Sequence, residues 1–149
     1  MEKPEISVII PVLDEAKYLE ATLLSIVEQN TNVPFEIIVS DNGSTDESIE
    51  IARKYATKVL TCEERGIGAA RHFGAMNAHE ESKFFLFLDA DTIIPGYYLS
   101  YCYMDIKDFP GYAAGYSNPE RFKHLLLPFS LSCLAPKWSM PSCQAPGRL

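Results

Sequence analysis

The feature that most constrains this chain is the run ISVIIPV at residues 6–12, which is β-branched and lacks the polar alternation of a half-exposed strand. Such a segment is expected as a strand covered on both faces, which in practice means a parallel sheet with helices on either side. The residues that follow supply those helices in alternation. Residues 18–29 place Leu19, Thr22, Leu23, Ile26 and Val27 at helical spacing. FEIIVS (35–40) reads as a second strand, and DNGSTDE after it puts Ser44 and Glu47 at capping-box spacing ahead of the helical SIEIARKYA, 48–56. TKVLTC (57–62) reads as a short third strand and FFLFL (84–88) as a fourth, with an alanine-rich helix over 67–78 between them in spite of Gly74. Strands and helices alternating at these lengths predict an α/β fold with a doubly wound, mostly parallel sheet flanked by helices. Beyond that the pattern is less regular: a helix over 95–109, a strand over 112–116, a helix-like apolar stretch over 121–135 that carries Pro128, and loop from 136 onward.

A chain of 149 residues suits a single domain with a real core. Its 47% hydrophobic and 22% charged content is globular, and a net charge of -7 lacks the basic footprint of a generic nucleic-acid binder. Cys62, Cys102, Cys133 and Cys143 form no CxxC pair and read as reduced thiols of a cytoplasmic protein. The N-terminus has no secretory pattern, and no run reaches the ~18 apolar residues of a spanning helix. A soluble or at most peripheral protein is expected. In that setting the match of Asn42-Gly43-Ser44 to a glycosylation acceptor is chance.

Ligands of open parallel sheets bind beyond the carboxyl ends of the strands, so the residues at those ends matter most. The first expected strand runs into Pro11-Val12-Leu13-Asp14-Glu15 and the second into Asp41-Asn42-Gly43. The third leads to Glu63-Glu64-Arg65-Gly66, and the fourth to Asp89-Ala90-Asp91. Each tip carries acid, whereas the strand interiors carry almost none. If strand geometry persists past residue 88, Asp89 and Asp91 face one way. Two carboxylates so close raise one pKa or recruit a cation, and oxygen-only ligands suit Mg2+ or Mn2+ with open positions for phosphate and water. Against this, Asp91-Thr92 before Pro-Gly also fits a simple turn cap. Asp14-Glu15 equally fits the negatively charged start of a helix. Arg71, in RGIGAARHFGA, reads either as a surface partner of Glu63 or Glu64 or as a cation near a diphosphate or base. Gly66-x-Gly68 is not a dinucleotide fingerprint, since Arg71 stands where Gly or Ala is needed, and no Walker lysine occurs.

Four blocks in this order and at about this spacing, SVIIPVLDEAKYLEATLLSI, FEIIVSDNGSTDESIEIARKY, RGIGAARHFGA and FFLFLDADTIIPG, resemble family 2 glycosyltransferases of the GT-A, Rossmann-like fold. The resemblance covers roughly residues 5–100. It implies a nucleotide-sugar-binding half there, with residues 101–149 the start of an incomplete acceptor half of one GT-A-like domain. It implies that Pro11, Val12, Leu13 and Glu15 line the nucleoside pocket and that Asp41 accepts a hydrogen bond from the base. Arg71 then lies near the base or phosphates, Asp89 and Ala90 near ribose or sugar, and Asp91, with Asp89 beside it, at a Mg2+ or Mn2+ ion. The activity implied is inverting, metal-dependent transfer of a sugar from a UDP- or GDP-type donor to an acceptor hydroxyl on a glycan or lipid-linked molecule, at the cytoplasmic face of a membrane or in the cytoplasm.

The family's general base is a downstream acidic motif, and here only Asp105, Asp108 and Glu120 follow Asp91, none in such a motif. A non-catalytic fragment that binds a nucleoside diphosphate is therefore the main alternative. A DxD phosphohydrolase is the weaker one, because that fold carries its acids on the first strand. Residues 122–135 (FKHLLLPFSLSCLA) read as core packing ahead of a membrane-interface segment, since the charged face of an interfacial helix is thin.

Overall fold

Every residue of the opening run is buried, and the run forms strand β1 (Ile6–Val12) inside the sheet. The structure is a computed structural model that describes residues 3–107, 113–114 and 133–136. After β1 come α1 (Ala16–Val27), β2 (Phe35–Asp41), α2 (Ser48–Tyr55), β3 (Lys58–Thr61), α3 (Ile67–Met76), β4 (Phe84–Phe87), α4 (Tyr98–Ile106), β5 (Ala113–Ala114) and β6 (Cys133–Pro136). The strands lie in the order β3-β2-β1-β4-β6-β5. β1 pairs in parallel with β2 and with β4, and β2 in parallel with β3. β6 runs antiparallel to β4, and β5 antiparallel to β6.

The expected alternation of strand and helix through residue 88 is present, with ends moved by a few residues. Two local expectations fail. Residues 133–135 belong to a strand rather than to a helix, and Pro136 ends that strand rather than opening a loop. A short apolar run has no period that separates helix from strand, and here the free edge of β4 decides. Proline is tolerated at the strand's end, where a missing N–H costs little. The rest of 121–135, including Pro128, lies outside the described residues, as do Asp108 and Glu120.

The second failure is the capping box. Helix α2 starts at Ser48 behind Glu47, with no side-chain cap bond. Ser44 is engaged elsewhere, as described below.

Helices cover both faces of the sheet because side chains alternate along β1. Val8, Ile10 and Val12 join Leu19, Leu23 and Ile26 of α1, Ile51 of α2 and Leu99 of α4 in one core. Ile9 points the other way, to Ile38, Phe85, Phe87 and Ala75 of α3. On that side α3 lies so close that a Cβ on Gly74 would stand 2.6 Å from Ile9 Cγ2. Ile9 is fully buried and β-branched, so it cannot swing away. Gly74→Ala is accordingly expected to destabilise the fold by about 1–3 kcal/mol despite alanine's better helix propensity. Chemical denaturation would read this as a lower midpoint at unchanged slope, and a midpoint at or above wild type would contradict the close approach.

At the amino ends of the strands Glu36 is buried. It accepts hydrogen bonds from Ser7 Oγ and from the His79 amide, each at 2.6 Å, and pairs with Lys58 Nζ at 3.1 Å.

Candidate functional site

The chain leaves β1 for β2 on one side and later returns to β4 on the other, so strand order reverses at the β1–β4 pair. At such a switch point the two loops diverge and open a crevice at the carboxyl ends. A cavity of about 480 Å³ lies there. That is within the size range of small-ligand sites.

One wall comes from β1 and its loop: Pro11, Val12, Leu13 and Glu15. Asp14 between them has φ +54°, a left-handed conformation that aspartate tolerates better than most residues. The loop is held by its neighbour. Asp14 N donates to Ser44 Oγ (3.0 Å), Glu15 N to Ser48 Oγ (2.9 Å) and Ala16 N to Asp46 Oδ2 (2.9 Å). In return Asp14 Oδ1 accepts from the Thr45 amide at 2.7 Å. The first amide of α1, at Ala16, and the two before it are therefore held from the loop after β2 and the start of α2.

The facing wall comes from the loop after β4: Asp89, Ala90 and Asp91. Strand β4 stops at Phe87, and residues 89–92 form a turn closed by Thr92 N donating to Asp89 O at 3.2 Å. Both acids thus reach the cavity through a turn, not through the strand alternation expected from the sequence. Polar side chains of α1, and of Gln29 just past its end, pin this loop. Thr22 Oγ1 donates to Ala90 O (2.7 Å), Ser25 Oγ accepts from Ile94 N (3.2 Å), and Gln29 Nε2 donates to Pro95 O (2.6 Å). The sequence pattern placed Thr22 on the buried face of the helix, and this bond is why a hydroxyl can be there.

Two predicted site residues do not line the cavity. Asp41 is 1% exposed, and its carboxylate accepts from the amides of Gly43 (3.0 Å) and Ser44 (3.1 Å). Arg71 donates from Nη2 to Asp89 Oδ1 at 2.5 Å, so it pairs with neither Glu63 nor Glu64. The cavity's third side instead carries Asn42, Arg65, Gly66, Ile67 and Ala70, of which sequence reasoning placed the first three at strand tips without giving them a role. Asn42 joins the loops after β2 and β3: Nδ2 donates to Cys62 O and Glu64 O, and Oδ1 accepts from Gly66 N at 2.7 Å. With both ends of its amide engaged, Asn42 is a poor glycan acceptor. Gly66 has φ +123°, which only glycine adopts without strain, so the glycine was the available signal for this corner. Arg65 was marked only by its place at the tip of the third strand.

The cavity is electrostatically unbalanced. Burial, then the charges of Asp91 and Asp46, push the Glu15 carboxyl above the ordinary range. Asp89 is neutralised in part by Arg71, whereas Asp91 is exposed and faces the same space as Glu15. Among the described residues no three metal-ligating side chains come together. The arrangement suits a hard cation held by few protein oxygens and completed by an anionic ligand. Neither Cys62 nor Cys102 lines the cavity; both are buried free thiols, and burial pushes the Cys102 thiol up to about 12. No helix among the described residues is long and apolar enough to cross a membrane.

The sequence model of glycosyl transferase family 2 matches residues 7–132. The minor teichoic acid biosynthesis protein GgaA of Bacillus subtilis is 34% identical over 93 residues, 57% of this chain and 21% of GgaA. The structure of S. aureus TarS 1-349 in complex with UDP-GlcNAc superposes with a TM-score of 0.62 at 31% identity, over 70% of this chain and 31% of that one. The mannosyltransferase PcManGT from Pyrobaculum calidifontis, in complex with GDP-Man and Mn2+, gives 0.63 at 25% identity, over 83% of this chain and 38% of its own. The chain therefore spans well under half the length of these three proteins.

Proposed function

The chain belongs to glycosyl transferase family 2, and from that premise we propose that it binds a UDP- or GDP-sugar in the switch-point cavity for inverting, metal-dependent transfer to an acceptor hydroxyl. The observation that carries this reading is the meeting of Pro11–Glu15 and Asp89–Asp91 across one cavity at the β1–β4 junction. UDP-GlcNAc in TarS and GDP-Man with Mn2+ in PcManGT support the donor class and the ion.

In this reading Pro11, Val12 and Leu13 face Ile67 and Ala70 across an apolar slot for the nucleoside. Arg65 is the cation available to the diphosphate, because Arg71 is committed to Asp89. Arg71 acts one step back, fixing the Asp89 carboxylate toward ribose or sugar. Asp41 likewise acts through the turn it caps. Asp91 is the residue that would hold Mg2+ or Mn2+, which when bound stabilises the negative charge of the departing diphosphate. The donor's C1–O bond to phosphate breaks as the acceptor oxygen bonds to C1 from the opposite face, and the acceptor's proton passes to a base. Glu15, Asp89 and Asp91 all belong to the donor side, so binding and transfer are separate questions. The acceptor, glycan or lipid-linked, would meet the region of residues 101–149, with the donor drawn from the cytoplasm.

Thermal melting with UDP, GDP, CDP or dTDP, each with and without Mn2+, tests the proposal. UDP or GDP is expected to raise the midpoint only with the ion. No response to any diphosphate would refute donor binding, and binding without sugar release from UDP-GlcNAc or GDP-Man would favour the non-catalytic alternative.

A further inference from the structure

Residues 44–48 do not line the cavity, yet three of their side chains accept the three consecutive amides that shape its nucleoside wall. We infer that this segment is a cooperative clamp, and that Asp46 is its central positioning residue. Asp46 bridges the starts of α1 and α2 with its two oxygens: Oδ2 accepts from Ala16 N at 2.9 Å and Oδ1 from Ser48 N at 3.0 Å. Ser48, fully buried, passes the constraint on by accepting from Glu15 N. Asp14 closes the ring from the other side through Thr45. Its left-handed backbone is a conformation that a free loop would leave, and leaving it would turn Leu13 and Glu15 out of the wall.

The wall and the metal-side loop therefore have separate supports. Side chains of 44–48 hold residues 14–16, whereas Thr22 and Ser25 of α1, with Gln29 just past its end, hold residues 90–95. Loosening the first should leave the second in place. The clamp itself stands on the geometry, and its consequence for nucleotide affinity rests on the function proposed above.

Asp46→Ala and Ser44→Ala in the full 149-residue chain test the inference. Asp46 is exposed, so its loss is compatible with folding. Amide hydrogen exchange measured by NMR is expected to accelerate at least tenfold at Asp14, Glu15 and Ala16 together in either variant, with Leu23 and Ile26 unchanged. In both variants the affinity for UDP or GDP with Mn2+ should fall at least tenfold, while that for Mn2+-pyrophosphate stays within twofold. If each variant freed only the amide whose own acceptor was removed, the bonds would be independent caps and the clamp would be overturned. An equal loss for the nucleotide and for pyrophosphate would overturn the separate supports. Should the wild type bind neither UDP nor GDP, the proposed function fails, and the exchange pattern alone still decides the clamp.

Discussion

Replacing Asp91 with alanine is expected to abolish the stabilisation that UDP or GDP confers in the presence of Mn2+, without lowering the melting temperature of the ligand-free chain. Asp91 is exposed on the turn after β4, and its charge is one of the causes that raise Glu15. Losing it therefore removes a repulsion from the free protein. Among the cavity's described carboxylates, the same loss takes away the exposed one, since Asp89 is paired with Arg71 and Glu15 is half-buried. A ligand at a hundred times its Kd contributes about 2.7 kcal/mol, equivalent to a midpoint shift on the order of 5–10 °C in a domain of this size. In Asp91→Ala that shift should vanish at the same ligand concentration. Asp89→Asn should weaken the shift and not erase it, since Asp89 already spends one oxygen on Arg71. Retention of the full Mn2+-dependent shift in Asp91→Ala would remove this residue from the ion site and require another carboxylate there.

The second large effect lies at the other end of the sheet. Glu36→Ala is expected to cost about 2–4 kcal/mol, because it removes the buried acceptor of the His79 amide and of Ser7 Oγ, which keeps only Ser82 Oγ, and takes the ion-pair partner from Lys58. Lys58 is 36% exposed and can turn to water, which keeps the figure below that of a fully buried pair. The effect should depend on pH. Burial alone would raise the Glu36 carboxyl, but the bonds from Ser7, His79 and Lys58 outweigh it and hold the group below the ordinary glutamate value. A lowered acid contributes stability above its unfolded pKa and loses it as pH falls through the folded value. Melting curves from pH 7 down to pH 3 should therefore show wild type losing, over the acid limb, part of its advantage over Glu36→Gln. Parallel curves would show that the charge at this position is immaterial and that only shape matters.

Much of the fold was legible because it is written in local period. The unbroken apolar run at 6–12, the helical spacing of Leu19, Leu23 and Ile26, and the apolar 84–88 each state how a segment must be covered. Acids gathered at the strand ends were legible for the same reason, since a buried strand has no place for them earlier. Where local pattern was ambiguous, reading it failed. Ser44 and Glu47 had capping-box spacing, but the Ser44 hydroxyl serves Asp14, thirty residues back. The apolar residues 133–135 had no period of their own and took the form the edge of β4 imposed.

By itself, then, the sequence determined the alternation of strands and helices, the family, and that acids gather at the carboxyl ends of the strands. Only the tertiary structure decided which of those ends share a cavity. That follows from strand order, and strand order depends on which buried faces find each other across long stretches of chain. Placing β4 beside β1 brought Asp91 opposite Glu15, committed Arg71 to Asp89, and put Arg65 and Asn42 on the third wall. No spacing along the chain could have distinguished the two arginines, because the difference between them lies in which neighbour each one meets.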